Sequence, residues 1–271
     1  MNDVSPAAPA DKPASFDTKG KLARSRNASP EARPGVELSE DGRPMRGVLS
    51  YSRRGSRFTA KQADAWERLA GDWVIGPDRV TDIDVPIDVN ADWFGREAPL
   101  YVEIGSGNGE HVAQYAAAHP EANIVAFEVW LPGVADTLSR LDEAGSTNVR
   151  LCTVDAAWSI TELFAPGSIT ELWTLFPDPW HKARHHKRRL VNQPFVGTAA
   201  SRLVPGGRWR LATDWPDYTE HMLEVFATEP TLEGGVGERW EARPVTKFER
   251  RGLAEGRGSD DLTYRYTRPE A

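Results

Sequence analysis

Leu100-Tyr-Val-Glu-Ile-Gly-Ser-Gly-Asn-Gly109 is the stretch on which the fold turns. Its first five residues form a short apolar run of strand length, and glycines then stand at 105, 107 and 109. Glycine permits a tight turn and lets backbone approach a ligand closely. Beyond the loop, 109–118 carries a helical pattern, so the stretch reads as strand, turn and helix. The alternation repeats downstream. Apolar runs at 123–127, 149–154, 169–176 and 207–213 predict strands, and 132–143, 157–164 and 195–203 between them predict helices. A further helix is expected over 216–228, with 239–245 and 262–268 pairing as two final strands. Such alternation implies right-handed crossovers and an α/β fold with a mainly parallel sheet, helices covering both faces. In sheets of this kind ligands bind beyond the carboxyl ends of the strands.

Upstream of Leu100 the chain changes character. Residues 1–42 are rich in Ala, Pro, Ser and charge, with few large aliphatics, and read as a disordered tail. Residues 43–98 form a basic segment and a helix packing on the core, with Thr59 as the candidate N-cap. Residues 99–271 make the main domain, and the 271-residue length suits one domain with appendages. No apolar run approaches the roughly 20 residues needed to cross a bilayer. The N-terminus lacks a basic region followed by an apolar core, so no signal peptide is expected. The single cysteine, Cys152, lies in an apolar stretch and fits a reducing cytoplasm.

Net charge is −7, yet the basic residues are not spread evenly. Arg43, Arg46, Arg53, Arg54, Arg57 and Lys61 fall in one run without an acid, and Lys182, Arg184, Lys187, Arg188 and Arg189 in another. A solvated helical face usually interleaves both signs. Acid-free clusters on an acidic body are instead a footprint for a polyanion that docks at one place.

The glycine loop has a distinctive spacing. A dinucleotide fingerprint, G-x-G-x-x-G, needs glycine at position 110, where this chain has Glu110. The pattern here is G-x-G-x-G with Glu103 two residues ahead. It resembles the first motif of class I methyltransferases, whose loop passes the methionine end of S-adenosylmethionine. A pyrophosphate disfavours nearby anions, whereas the ammonium of that cofactor accepts one. Glu128 ends the second strand, where a carboxylate can hold a ribose diol. Asp155 ends the third, where the methyltransferase pattern places an adenine contact. Either acid can equally be read as a cap on the helix that follows.

The fourth strand runs into Phe176-Pro-Asp-Pro-Trp-His-Lys-Ala-Arg-His-His-Lys-Arg-Arg189. Flanking prolines restrict the backbone, so Asp178 should hold one orientation. His185 and His186 are adjacent and no cysteine is near, which disfavours a metal site; none is expected. Interleaved Lys and Arg suit phosphate better. Trp180 is open to two readings, a stack on an exposed base or an anchor for its own loop.

At this point the resemblance becomes specific: the run is similar to the signature of the tRNA (guanine-N7-)-methyltransferase family in its bacterial single-chain form. The likeness extends over about 45–268 and takes in Ala212-Thr-Asp-Trp215 and Arg243-Pro-Val-Thr-Lys-Phe-Glu-Arg-Arg-Gly252. It implies a Rossmann-like class I methyltransferase fold with a seven-stranded, mainly parallel sheet. It implies S-adenosyl-L-methionine as cofactor, bound by Glu103, Gly105, Gly107, Glu128, Asp155 and Asp178. Lys182, Asp214, Thr246, Lys247, Phe248 and Glu249 would contact the guanosine. Arg53, Arg54, Arg57, Arg184, Lys187, Arg188 and Arg189 are the expected phosphate contacts. The partner implied is tRNA, methylated in its variable loop by a cytoplasmic monomer or homodimer that needs no membrane and no protein partner. The long N-terminal tail is not part of the shared pattern.

The implied chemistry is coherent. N7 of guanine carries a lone pair and no proton, so its methylation needs orientation and charge stabilisation rather than a general base. Asp178 is therefore expected to be catalytic in an electrostatic and orienting sense. The competing readings are a class I methyltransferase acting on another RNA or on a small molecule, a non-catalytic RNA-binding protein, and a nicotinamide dehydrogenase.

Overall fold

The computed structural model describes residues 50–51, 55, 57–80 and 83–267. In chain order the elements are α1 (Ala60–Trp73), β1 (Val74–Ile75), β2 (Leu100–Ile104), α2 (Glu110–Ala118), β3 (Asn123–Phe127), α3 (Leu131–Ala144), β4 (Val149–Cys152) and α4 (Ala156–Glu162). There follow β5 (Ile169–Leu175), α5 (Gln193–Arg202), β6 (Leu203–Thr213), α6 (Pro216–Phe226), β7 (Leu232–Gly237), α7 (Lys247–Ala254) and β8 (Asp260–Tyr266). Local chemistry sets several of these starts. Thr59 and Gln62 form a reciprocal capping box at α1, satisfying two backbone donors that the helix cannot. Asn192 caps α5 by accepting from Phe195 N at 3.2 Å. All five residues of β3 are buried, as a strand covered on both faces requires.

The eight strands lie in the order β1-β4-β3-β2-β5-β6-β8-β7. Every neighbouring pair from β1 to β6 is parallel, while β8 runs antiparallel to both β6 and β7. The chain adds β3 and β4 on one side of β2 and β5 and β6 on the other. The crevice between β2 and β5 is therefore the topological switch point, where such folds place their ligands. One apolar layer joins α1, α2 and α3 to the sheet through Trp66, Val112, Leu138 and Leu141. The opposite layer joins α4, α5 and α6 through Ile160, Phe195, Tyr218 and Phe226. The fold is the mainly parallel α/β arrangement that the alternating pattern implies, and Rossmann-like as the resemblance implies.

Three expectations need correction. The sheet has eight strands rather than seven, because Val74 and Ile75 pair with Leu151 and Cys152 at its edge. The strand beside β8 is Leu232–Gly237, not 239–245. Its Leu-Glu-Gly-Gly-Val-Gly sequence has low strand propensity, but a Cβ at Gly234 would stand 2.0 Å from Thr263 O, so the close pairing requires glycine. Residues 239–245 instead carry Arg243 into the interior, and a helix absent from the sequence reading, α7, follows. Cys152 is fully buried in β4, and burial pushes its thiol up to about 12. Residues 1–42, and Arg43, Arg46, Arg53 and Arg54, lie outside the described residues.

Candidate active site

The carboxyl ends of the central strands open into one cavity of about 420 Å³. Gly105, Gly107 and Glu128 line it, as do Asp178, Asp214 and Phe248. Six of the residues expected to meet cofactor or guanosine thus share one space.

The glycine loop is shaped by its backbone. Gly105, Gly107 and Gly109 have φ of 78°, 60° and 75°, a region that side chains disfavour. Gly105 N and Ser106 N both donate to Phe127 O, at 2.8 and 3.0 Å, which ties the loop to the end of β3. Glu128 accepts from Gly107 N at 2.9 Å and from Trp130 N at 2.7 Å. Helix α3 presses close to the loop, where a Cβ on Gly133 would stand 2.2 Å from Gly107 O. Ser106 Oγ is buried with no hydrogen-bond partner among the described residues. An orphaned polar atom, glycine backbone lining the cavity at 105 and 107, and a strand-end carboxylate suit a polar ligand such as S-adenosylmethionine.

The other two acids sit differently. Glu103 is buried, and its Oε2 lies 2.8 Å from His111 Nδ1, so it does not line the cavity. Asp155 is the N-cap of α4, accepting from Trp158 N at 2.9 Å, between the lining residues Val154 and Ala156. Burial raises its pKa, against the opposing pull of backbone hydrogen bonds from Trp158 and Ala157. The capping reading of Asp155 is therefore realised in this structure.

Between Phe176 and Trp180 the backbone is held in a rare conformation at both ends, φ 53° at Phe176 and 47° at Trp180. Neither is glycine, so surrounding contacts must fix them, as is common at functional sites. Phe176 N donates to Ala212 O at 2.8 Å, and the Arg243 guanidinium lies 5.2 Å from the Phe176 ring centre. Trp180 donates from Nε1 to Ser50 O at 2.9 Å, and the Arg188 guanidinium stacks 3.6 Å from its ring centre. Trp180 is an anchor for its loop. Asp178, held between these points, takes no hydrogen bond or ion pair among the described residues and faces the cavity with both oxygens available.

Asp214 follows β6, the neighbour of β5, and so stands beside the Asp178 loop. Arg257 Nε donates to its Oδ2 at 2.8 Å. Gly252 of α7 lets the helix approach, since a Cβ there would meet that oxygen at 2.7 Å. Thr246 caps α7 by accepting from Glu249 N, and Phe248 reaches the cavity. Glu249 does not reach it. It is buried in an ion network with Arg239 and Arg243, while Arg243, also buried, clamps Asp261 as well. Burial works against ionisation of Glu249, but the two guanidiniums outweigh it and hold the carboxyl below its usual range. Arg243, Arg251 and Arg257 gave no separate signal in the sequence, because a charged side chain does not reveal whether it turns inward or outward.

The basic run divides in the structure. Lys182, Arg184 and Lys187 are exposed and form or flank a 3-10 turn spanning Ala183–Arg188. His185 is held below its ordinary pKa by lost hydration and by the charges of Arg184, Arg188 and Lys182. Arg57 is exposed too, while Lys61 pairs with Glu143 at 2.8 Å. Arg189 departs from expectation: it is buried, bonded to Pro179 O at 3.0 Å and paired with Asp217. Arg188 donates to Tyr51 O at 2.9 Å in addition to its stack on Trp180. These two arginines build the loop.

A switch-point cavity with a G-x-G-x-G loop, a carboxylate at the end of β3 and no pyrophosphate-type spacing defines a class I S-adenosylmethionine-dependent methyltransferase. Residues 97–262 match the family described as "Putative methyltransferase". The chain is 58% identical to the tRNA (guanine-N(7)-)-methyltransferase of Nocardioides sp. (strain ATCC BAA-499 / JS614), over 86% of this chain and 93% of that one. It is 45% identical to the protein of the same name from Cutibacterium acnes, over 93% of this chain and 97% of the other. The Bordetella pertussis protein of that name is 40% identical, over 98% and 99%. The chain belongs to the tRNA (guanine-N(7)-)-methyltransferase family.

Proposed function

We propose that this protein transfers the methyl group of S-adenosyl-L-methionine to N7 of a guanosine in the variable loop of tRNA. One observation carries the reading: Asp178 and Asp214, at the ends of adjacent parallel strands, line the same cavity as the glycine loop and Glu128. The cofactor supplies an electrophilic methyl on a sulfonium. The chain's part is to hold the base and manage its charge. Asp178 and Asp214 can accept from guanine N1–H and the N2 amine, donors that adenine lacks. As N7 gains its methyl the purine gains positive charge, which a fixed carboxylate stabilises. No side chain has to remove a proton, and positioning supplies a large share of the rate.

The A-form major groove is too deep and narrow for side chains, so the guanine must be presented in a loop or drawn out of its stack. Exposed Arg184, Lys187 and Arg57 supply the phosphate contacts in this proposal, with Arg53 and Arg54 close to Arg57 in sequence. Gly105, Gly107, Glu128, Asp155 and Asp178 would surround the cofactor, while Glu103 would tether α2, the helix that follows the glycine loop, through His111. Lys182, Asp214, Thr246, Lys247 and Phe248 would meet the guanosine, and Glu249 would hold that stretch in place. We place the protein in the cytoplasm as a monomer or homodimer; no described helix is long and apolar enough to cross a membrane. Incubation with labelled S-adenosylmethionine and bulk tRNA should yield 7-methylguanosine on nucleoside analysis. A different methylated nucleoside would overturn the proposal.

A further inference from the structure

Glu110 is the first residue of α2, directly after the glycine loop. Its Oε2 accepts from Lys247 N at 2.7 Å and its Oε1 from Arg250 Nη2 at 2.8 Å. Lys247 opens α7, so one carboxylate stands in the first turn of two helices, and both macrodipoles favour its charge there. Asn108, inside the loop, donates to the same Oε1 at 3.3 Å, and Arg140 of α3 approaches to 3.9 Å. Phe248 completes the contact, its ring 3.6 Å from the place of a Cβ on Gly107. Burial works against ionisation of Glu110, but Arg250, the Lys247 N–H and Asn108 outweigh it and lower the pKa. The cofactor loop and the helix that roofs the substrate side are therefore fastened by one ionised side chain.

We propose that Glu110 is a coupling residue, whose link to Lys247 and Arg250 makes binding of the methyl donor and binding of the guanosine-bearing RNA favour one another. The proposal rests on assigning the glycine loop to the cofactor and the start of α7 to the guanosine. Fixing a loop with three glycines costs backbone entropy. A cofactor that fixes it gives α7 a settled anchor, so less ordering remains for the RNA to complete. The reverse follows by linkage.

The test is equilibrium binding of bulk tRNA to the full chain, with and without saturating S-adenosylhomocysteine. In the wild type the cofactor product should tighten tRNA binding by about fivefold or more. Glu110→Gln and Arg250→Gln should each bring that ratio towards one, and the double variant no further than either single, the mark of a shared contact. A merely structural loss would weaken both ligands and leave the ratio unchanged. An unchanged ratio in Glu110→Gln, additive effects in the double variant, or a wild-type ratio of one overturns the coupling. A wild type that binds no tRNA in either state overturns the substrate assignment and the coupling with it, and this is seen before any variant is made.

Discussion

At the scale of single residues, the site depends on where a few side chains end and on one that is missing. Gly252 allows α7 to lie against Asp214, within reach of a 2.7 Å clash if a methyl group is added. Gly252→Ala should leave stability level or slightly raised, because alanine gains up to about 1 kcal/mol of helix propensity over glycine. The clash falls on a side-chain oxygen that can rotate away, and its cost appears in recognition. We expect the KM for tRNA to rise about tenfold with S-adenosylhomocysteine affinity unchanged, read by steady-state kinetics and equilibrium binding. Asp178→Asn keeps the shape of its loop and removes the charge. Its turnover should fall roughly 100-fold, the scale of losing one preorganised electrostatic partner. Unchanged turnover would remove Asp178 from the catalytic role.

At the scale of elements, α7 is the unit that the sequence concealed. Eight residues long, it could not be stable alone, and it is held from outside by Arg243 through Glu249 and by Glu110 through Lys247 and Arg250. Glu249 is ionised below its usual range in the folded state. Its contribution to stability is present above the unfolded pKa, about 4.3, and is lost as pH falls through the lower folded value. Glu249→Gln should therefore cost about 2 kcal/mol at neutral pH, the scale of a lost charge-assisted hydrogen bond, since Arg243 keeps its second carboxylate, Asp261. The variant should also lose less stability than the wild type between pH 7 and pH 3.5, measured by urea unfolding. An equal loss over that interval would show that Glu249 does not titrate with folding.

At the scale of the whole molecule, an acidic protein must meet a polyanion on one restricted face. Arg184 is exposed and Arg189 is buried, two positions in one basic run with opposite prospects. Arg184→Gln should make the dependence of log affinity for tRNA on log salt shallower by about one, with no change in melting temperature. Arg189→Gln should instead lower the melting temperature by roughly 3–6 °C, because Pro179 O loses its partner in a tight loop. If Arg184→Gln left the salt slope as it was, the phosphate-docking role of the exposed turn would fail.

The sequence by itself determined the α/β class, the glycine loop, the strand-end acids Glu128 and Asp178, and a site beyond the carboxyl ends of the strands. These rest on local period, glycine spacing and chain order, which short windows of residues carry. Tertiary structure alone decided which charges face the cavity. Glu103 pairs inward with His111, Asp155 caps a helix, Glu249 locks onto Arg243, and Arg188 and Arg189 brace the Trp180 loop. It also chose Leu232–Gly237 over 239–245 as the strand beside β8. A charged residue carries no mark of its direction in the sequence. Its burial is settled by distant partners that meet only when the strands align.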